Sequence, residues 1–136
     1  MSMSIPTTTP EFPASLTLAC GPVSAVDLSL YAAASGDHNP LHLDHEVAHA
    51  AGFERPVVHG MLSMAYFGRL LTQQFGAGSV AHLHTRFTGV AQRGQTLSLT
   101  ATLDKVEGGL GHYRLQASND QGQALVTGMA RIRPTR

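Results

Sequence analysis

Between Met61 and Phe75 the chain is apolar on nearly every side of a helix, and directly afterwards its hydrophobic period changes from 3.6 to 2. Met61, Leu62, Met64, Ala65, Tyr66, Phe67, Leu70 and Leu71 fill that helix, and Arg69 is its only charge. A helix with so little polar surface has to be enclosed by the rest of the fold. At about 1.5 Å per residue it is roughly 22 Å long, enough to cross a small domain. In Gln95–Leu103, Leu97, Leu99, Ala101 and Leu103 alternate with Ser and Thr, as in an antiparallel strand with one wet face. Val80–Thr88, His112–Ser118 and Ala124–Ile132 read the same way, punctuated by Gly94, by Gly108-Gly109 and by Asp120-Gln121-Gly122. Ser15–Cys20 is a further short strand candidate ahead of the helix. The expected architecture is α+β, an antiparallel sheet curled around a central apolar helix.

Residues 1–14 read as an N-terminal arm, because Pro6, Pro10 and Pro13 cannot donate ladder bonds, and residues 15–136 as one domain. Ser24 is placed to cap a helix from Ala25 to about Ala34, with Asp27 completing a capping box and Gly36 stopping it. A shorter helix is expected from about Asp44 to Ala51, ended by Gly52. A length of 136 residues with 43% hydrophobic content suits one core that needs no staple. Cys20, the single cysteine, rules out an internal disulfide and a multi-Cys zinc site. Nine Lys and Arg balance nine Asp and Glu, so nucleic acid is not an expected partner. No apolar run is long enough to span a membrane, and the start of the chain has no leader pattern, so a cytoplasmic protein is expected. Charge is nevertheless segregated: residues 1–54 hold six acids and no Lys or Arg, while residues 55–136 hold nine Lys and Arg and three acids. Either the two halves pack with their fields partly cancelling, or Arg69, Arg86, Arg93 or Arg114 meets the phosphates of an anionic ligand.

The chemically dense stretch runs from Tyr31 to Ser63. Asp37 and His42 are five apart with Asn39-Pro40 between them. Proline fixes its own φ and keeps Asn39 out of α geometry, so a stiff, non-helical turn and extended stub are expected there. Such a link can aim a carboxylate and an imidazole at one water, a capable proton-transfer pair near neutral pH. Asn39 is suited to orienting Asp37 or the water. His59-Gly60 stands where the apolar helix begins, and a backbone N–H there would stabilise an enolate oxygen, Gly60 allowing close approach. The rival is a metal site, since His38, His42, His45 and His49 crowd together, and His45 and His49 have helical i, i+4 spacing. His82 and His84 alternate on a strand and read as surface or interface residues.

Ser35-Gly36-Asp37-x-Asn39-Pro40-Leu41-His42, Ala48, Arg55-Pro56-x-Val58-His59-Gly60-Met61-Leu62 and Arg86-Phe87-Thr88 together resemble the MaoC-like dehydratases, the (R)-specific enoyl-CoA hydratase or hydratase-2 family. The resemblance implies a hot-dog fold and reversible hydration of trans-2-enoyl thioesters, carried by CoA or acyl-carrier protein, to (R)-3-hydroxyacyl thioesters. It implies Asp37 and His42 as the water-activating pair and the Gly60 N–H as the donor to the thioester carbonyl. Asn39 and His59 become supporting residues. No metal or organic cofactor is required. Some members carry a serine nine residues after the His of the His-Gly pair, where this chain has Gly68, and Ser63 is the expected substitute. A homodimer, or a heterodimer with a related subunit, is implied, with sheets joined edge to edge. Two alternatives use the same fold: an acyl-CoA thioesterase, which does not obviously need both Asp37 and His42, and a non-catalytic subunit of a heterodimeric dehydratase.

Overall fold

The first helix starts for a local reason. In the computed structural model, which describes residues 12–135, Ser24 Oγ accepts from the Asp27 N–H at 3.0 Å, and the Asp27 carboxylate accepts from the Ser24 N–H at 2.8 Å. This capping box opens α1 (Ala25–Ser35), and Gly36 closes it in the left-handed region at φ 78°. The backbone N–H of Ser24 holds the Asp27 carboxyl below its ordinary range. α2 (His45–Ala50) is capped by Asp44, whose Oδ1 accepts from the Glu46 and Val47 N–H groups.

Between these helices the chain departs from the expected extended stub. Pro40–His42 form one 3-10 turn. Asn39 does stay out of the helical region, at φ −55° and ψ 124°, as a residue before proline must. Pro40 itself suits the first position of a helical turn, and Asn39 Oδ1 accepts from the Leu41 N–H at 3.0 Å, which starts that turn.

α3 (Gly60–Phe75) buries Leu62, Tyr66, Phe67, Leu70, Leu71 and Phe75 against one five-stranded antiparallel sheet. β1 (Ser15–Cys20), β2 (Val80–Phe87), β3 (Leu97–Glu107), β4 (Leu110–Ser118) and β5 (Ala124–Ile132) are ordered β1-β3-β4-β5-β2. The sheet supplies Leu97, Leu99, Ala101, Tyr113, Leu115 and Ala117 to the core, with register pairs Leu99↔Ala117 and Ala101↔Leu115 fixing that face. Each large side chain buried in this way contributes about 1.5–3 kcal/mol. β3 runs four residues past the expected Leu103, because a register shift after Leu103 lets pairing continue to Glu107↔Leu110. Gly108 and Gly109, at φ 59° and 76°, make the two-residue hairpin loop that this requires. α3 is enclosed on one side only, and Met61 is 56% exposed.

Of the expected arm, residues 1–11 lie outside the described residues. Its last residues are tied to the core. The Phe12 ring lies 6.1 Å from that of Phe75, and Tyr113 Oη donates to the Pro13 carbonyl at 2.8 Å. Burial pushes the Tyr113 hydroxyl up to about 12. No helix among the described residues is long and apolar enough to cross a membrane.

Candidate active site

Three backbone contacts bring the chemically dense segments together. The Val57 N–H donates to the Leu41 carbonyl at 3.1 Å, the Val58 N–H to the Ala91 carbonyl at 2.8 Å, and Val57 forms an isolated antiparallel bridge with Gln92. The segment before α3 is thereby clipped between the 3-10 turn and the loop ahead of β3. This places His42, on the turn, beside His59, the residue that opens α3.

His42 Nδ1 lies 2.9 Å from the Val57 carbonyl oxygen. A carbonyl can only accept, so Nδ1 carries the proton and Nε2 is left with the lone pair. That Nε2 faces Asp37 Oδ2 at 3.6 Å, too long for a direct hydrogen bond and suited to a bridging water. Asp37 is held at its other oxygen, where Oδ1 accepts from the Asn39 N–H at 3.3 Å, and its own N–H donates to Ser35 Oγ at 3.2 Å. The Asp37 side chain is half exposed and that of His42 largely buried. His42 Nε2 and the half-exposed Asp37 carboxylate therefore face one another.

His59 lies beneath them, 1% exposed. Its Nε2–H donates to the Asp37 backbone carbonyl at 3.1 Å, and its ring stacks on His42 at 3.8 Å with 21° between planes. Tyr31 meets it edge-on at 4.8 Å. Burial pushes the His59 imidazole below its ordinary pKa, and the bond to the Asp37 carbonyl only partly opposes this. Its Nδ1 has no hydrogen-bond partner among the described residues.

His59 makes no side-chain cap to α3, so the Gly60 N–H at the positive end of that helix has no capping side chain. A Cβ at Gly60 would come within 3.2–3.3 Å of three Phe87 ring carbons, so the Phe87 ring covers this point closely. Beside it lies a mostly apolar cavity of about 220 Å³ bordered by Val58, Gly60, Ser63, Phe87, Val90 and Leu125.

The structure thus gathers Asp37, His42 and His59, with Gly60 adjacent in the chain. Asn39 acts on backbone, shaping the turn. Ser63 is buried and borders the apolar cavity, and a side chain at Gly68 would meet nothing within 4 Å. Of the histidine set of the rival metal reading, the His45 and His49 rings lie 4.4 Å apart, but His49 Nε2 contacts the Glu54 carbonyl at 2.9 Å. Among the described residues, Asp37, His42 and His59 are the three with ligand-type atoms within 4.8 Å of one another. Arg69 lies 5.6 Å over the Tyr66 ring, and Arg114 3.7 Å from Asp104. The Val57 carbonyl and the Tyr31 ring were not legible as site groups: the first is main chain, and the second reads as a core position of α1.

The sequence matches the family profile described as MaoC like domain over residues 3–119. It is 51% identical over 57 residues to the (R)-specific enoyl-CoA hydratase of Aeromonas caviae, covering 41% of this chain and 42% of that protein. It is 34% identical over 100 residues to 3-hydroxyacyl-thioester dehydratase Y of Mycobacterium tuberculosis, covering 71% of this chain and 34% of that protein. The matched stretches therefore span less than half the length of these curated relatives. The solved structure of the (R)-hydratase from A. caviae involved in PHA biosynthesis superposes with a TM-score of 0.85 at 28% identity, covering 94% of this chain and 99% of that one.

Proposed function

Because this chain belongs to the MaoC-like domain family, we propose that it adds water reversibly across the double bond of a trans-2-enoyl thioester, giving the (R)-3-hydroxyacyl thioester in fatty-acyl metabolism. The observation that carries this is the facing of two acceptors, His42 Nε2 and Asp37 Oδ2, across 3.6 Å. A water seated beside both atoms donates one O–H to each and turns an oxygen lone pair outward to C3 of the substrate. As the O–C3 bond forms, the C2–C3 π electrons move onto the thioester oxygen, which the Gly60 N–H receives as an enolate. The water proton passes to the pair. The pair then returns a proton to C2, the enolate collapses to the thioester, and the site is restored. Dehydration runs through the same steps in reverse.

The apolar cavity beside Gly60 is suited to the acyl chain. The sheet order leaves β2 at one edge, with β5 as its ladder partner, while Val26 and Leu30 on α1, Met61 on α3 and Phe87 are exposed apolar groups. These features support pairing with a second copy or a related subunit along that edge. Light scattering on the purified chain tests self-association, with a twofold mass expected.

The activity test follows absorbance of trans-2-enoyl-CoA over a panel of chain lengths, with chiral analysis of the product. Loss of enoyl absorbance with an (R)-product is expected. Release of free thiol without hydration would assign the thioesterase activity instead.

A further inference from the structure

We propose that His59 is a positioning residue of the water-activating pair, fixing Asp37 through its Nε2–H and the plane of the His42 ring by stacking, in its neutral form. This rests on the proposed hydration and adds a named role to a residue that the hydration steps do not use. His59 is the one residue in contact with both members of the pair among the interactions described above. It grips Asp37 at the backbone carbonyl, so it sets where the carboxylate emerges. It also supports His42 from beneath at 3.8 Å while the Val57 carbonyl pins Nδ1 in the ring plane. With one ring nitrogen tethered in plane and one face supported, Nε2 has a single direction left to point.

The neutral state is required by the same contacts. Donation to a carbonyl puts the proton on Nε2, and a second proton on Nδ1 would be buried with no acceptor. The titratable groups that face His59 are Asp37, His42 and Tyr31. A second positive charge stacked against a protonated His42 would also oppose the proton transfer assigned to that ring.

Two measurements test this. In kinetics with trans-2-enoyl-CoA, His59→Leu removes the donor and the ring. It is expected to lower kcat about 100-fold with KM little changed, the cost of misplacing reacting groups by about an ångström. His59→Gln keeps an N–H near the position of Nε2 and is expected to recover most of that loss. A folded His59→Leu protein turning over at the parental kcat, or a His59→Gln protein no better than His59→Leu, overturns the proposal. In the unaltered protein, nitrogen NMR of the imidazole rings is expected to show His59 still neutral and protonated on Nε2 as the pH falls through the ordinary histidine midpoint of about 6.5. A His59 ring that titrates at that midpoint, or carries its proton on Nδ1, overturns it without reference to turnover. If the parent protein hydrates no enoyl thioester, the proposed reaction fails and the positioning role fails with it, even where the neutral tautomer is observed. If the parent hydrates and depends on Asp37, a failure in the His59 series falls on this inference alone.

Discussion

At the scale of single residues, the assignment of Asp37 and His42 predicts large and separable effects. Asp37→Asn and His42→Ala should each lower kcat by about 10²–10⁴, the range for one proton-transfer group, with the fold retained. The Asp37 side chain is half exposed, so a folded, slow Asp37→Asn enzyme is the expected result of turnover and melting measurements. Gly60→Ala tests the other side of the site. A methyl group there meets the Phe87 ring, which must move by a few tenths of an ångström, and the donor N–H becomes less approachable. A fall in kcat/KM with intact secondary structure is expected, and unchanged kcat/KM would remove Gly60 from the reaction. Asp37, His42, His59 and Gly60 were singled out in the sequence by the combination of Asp-x-Asn-Pro-x-His with His-Gly and by the family resemblance, since either motif alone reads as a turn or a helix boundary. What escaped reading was contributed by neighbours in space: a carbonyl at Val57, an aromatic edge at Tyr31, and a ring at Phe87 across the Gly60 backbone.

At the scale of elements, boundaries set by local chemistry were readable and those set by tertiary pairing were not. Ser24 and Asp27 open α1 through bonds three residues apart and Gly36 closes it through its N–H to the Ala32 carbonyl, and β1 and β5 coincide with the stretches read from alternation alone. The 3-10 turn at Pro40–His42 was misread because proline forbids helix to its predecessor and permits it to itself. β3 overran its expected end because its later residues, Lys105 and Glu107, are held by the hairpin rather than by burial. The cap on α1 bears on the site as well, since that helix ends at Ser35, whose hydroxyl binds the Asp37 N–H. Ser24→Ala should cost about 1 kcal/mol of stability in denaturant unfolding, with little change in the Pro40–His42 turn. A cost near zero would mean that packing, and not the capping box, starts α1.

At the scale of the molecule, His59 ties stability to pH. Its folded pKa lies below that of the unfolded chain, about 6.5, because burial disfavours its charged form. Above that value neither state binds the proton and the contribution is fully present. As pH falls through it, the unfolded chain takes up a proton that the folded chain refuses, and stability drops. Thermal melts should fall from pH 7.5 to pH 5.5, and His59→Gln should flatten that slope; equal slopes would assign the acid sensitivity elsewhere. Most of the remaining fold follows from the enclosed face of α3, which dictates which side of each strand turns inward. The orientation of the His42 ring has a different kind of security. Its tether is the main chain of Val57, present whatever amino acid occupies that position, so point mutation has no direct means of abolishing it. Only a slip of the peptide strand carrying that atom could re-aim the imidazole, which makes an insertion or deletion near residue 57 more damaging than any replacement of the valine itself.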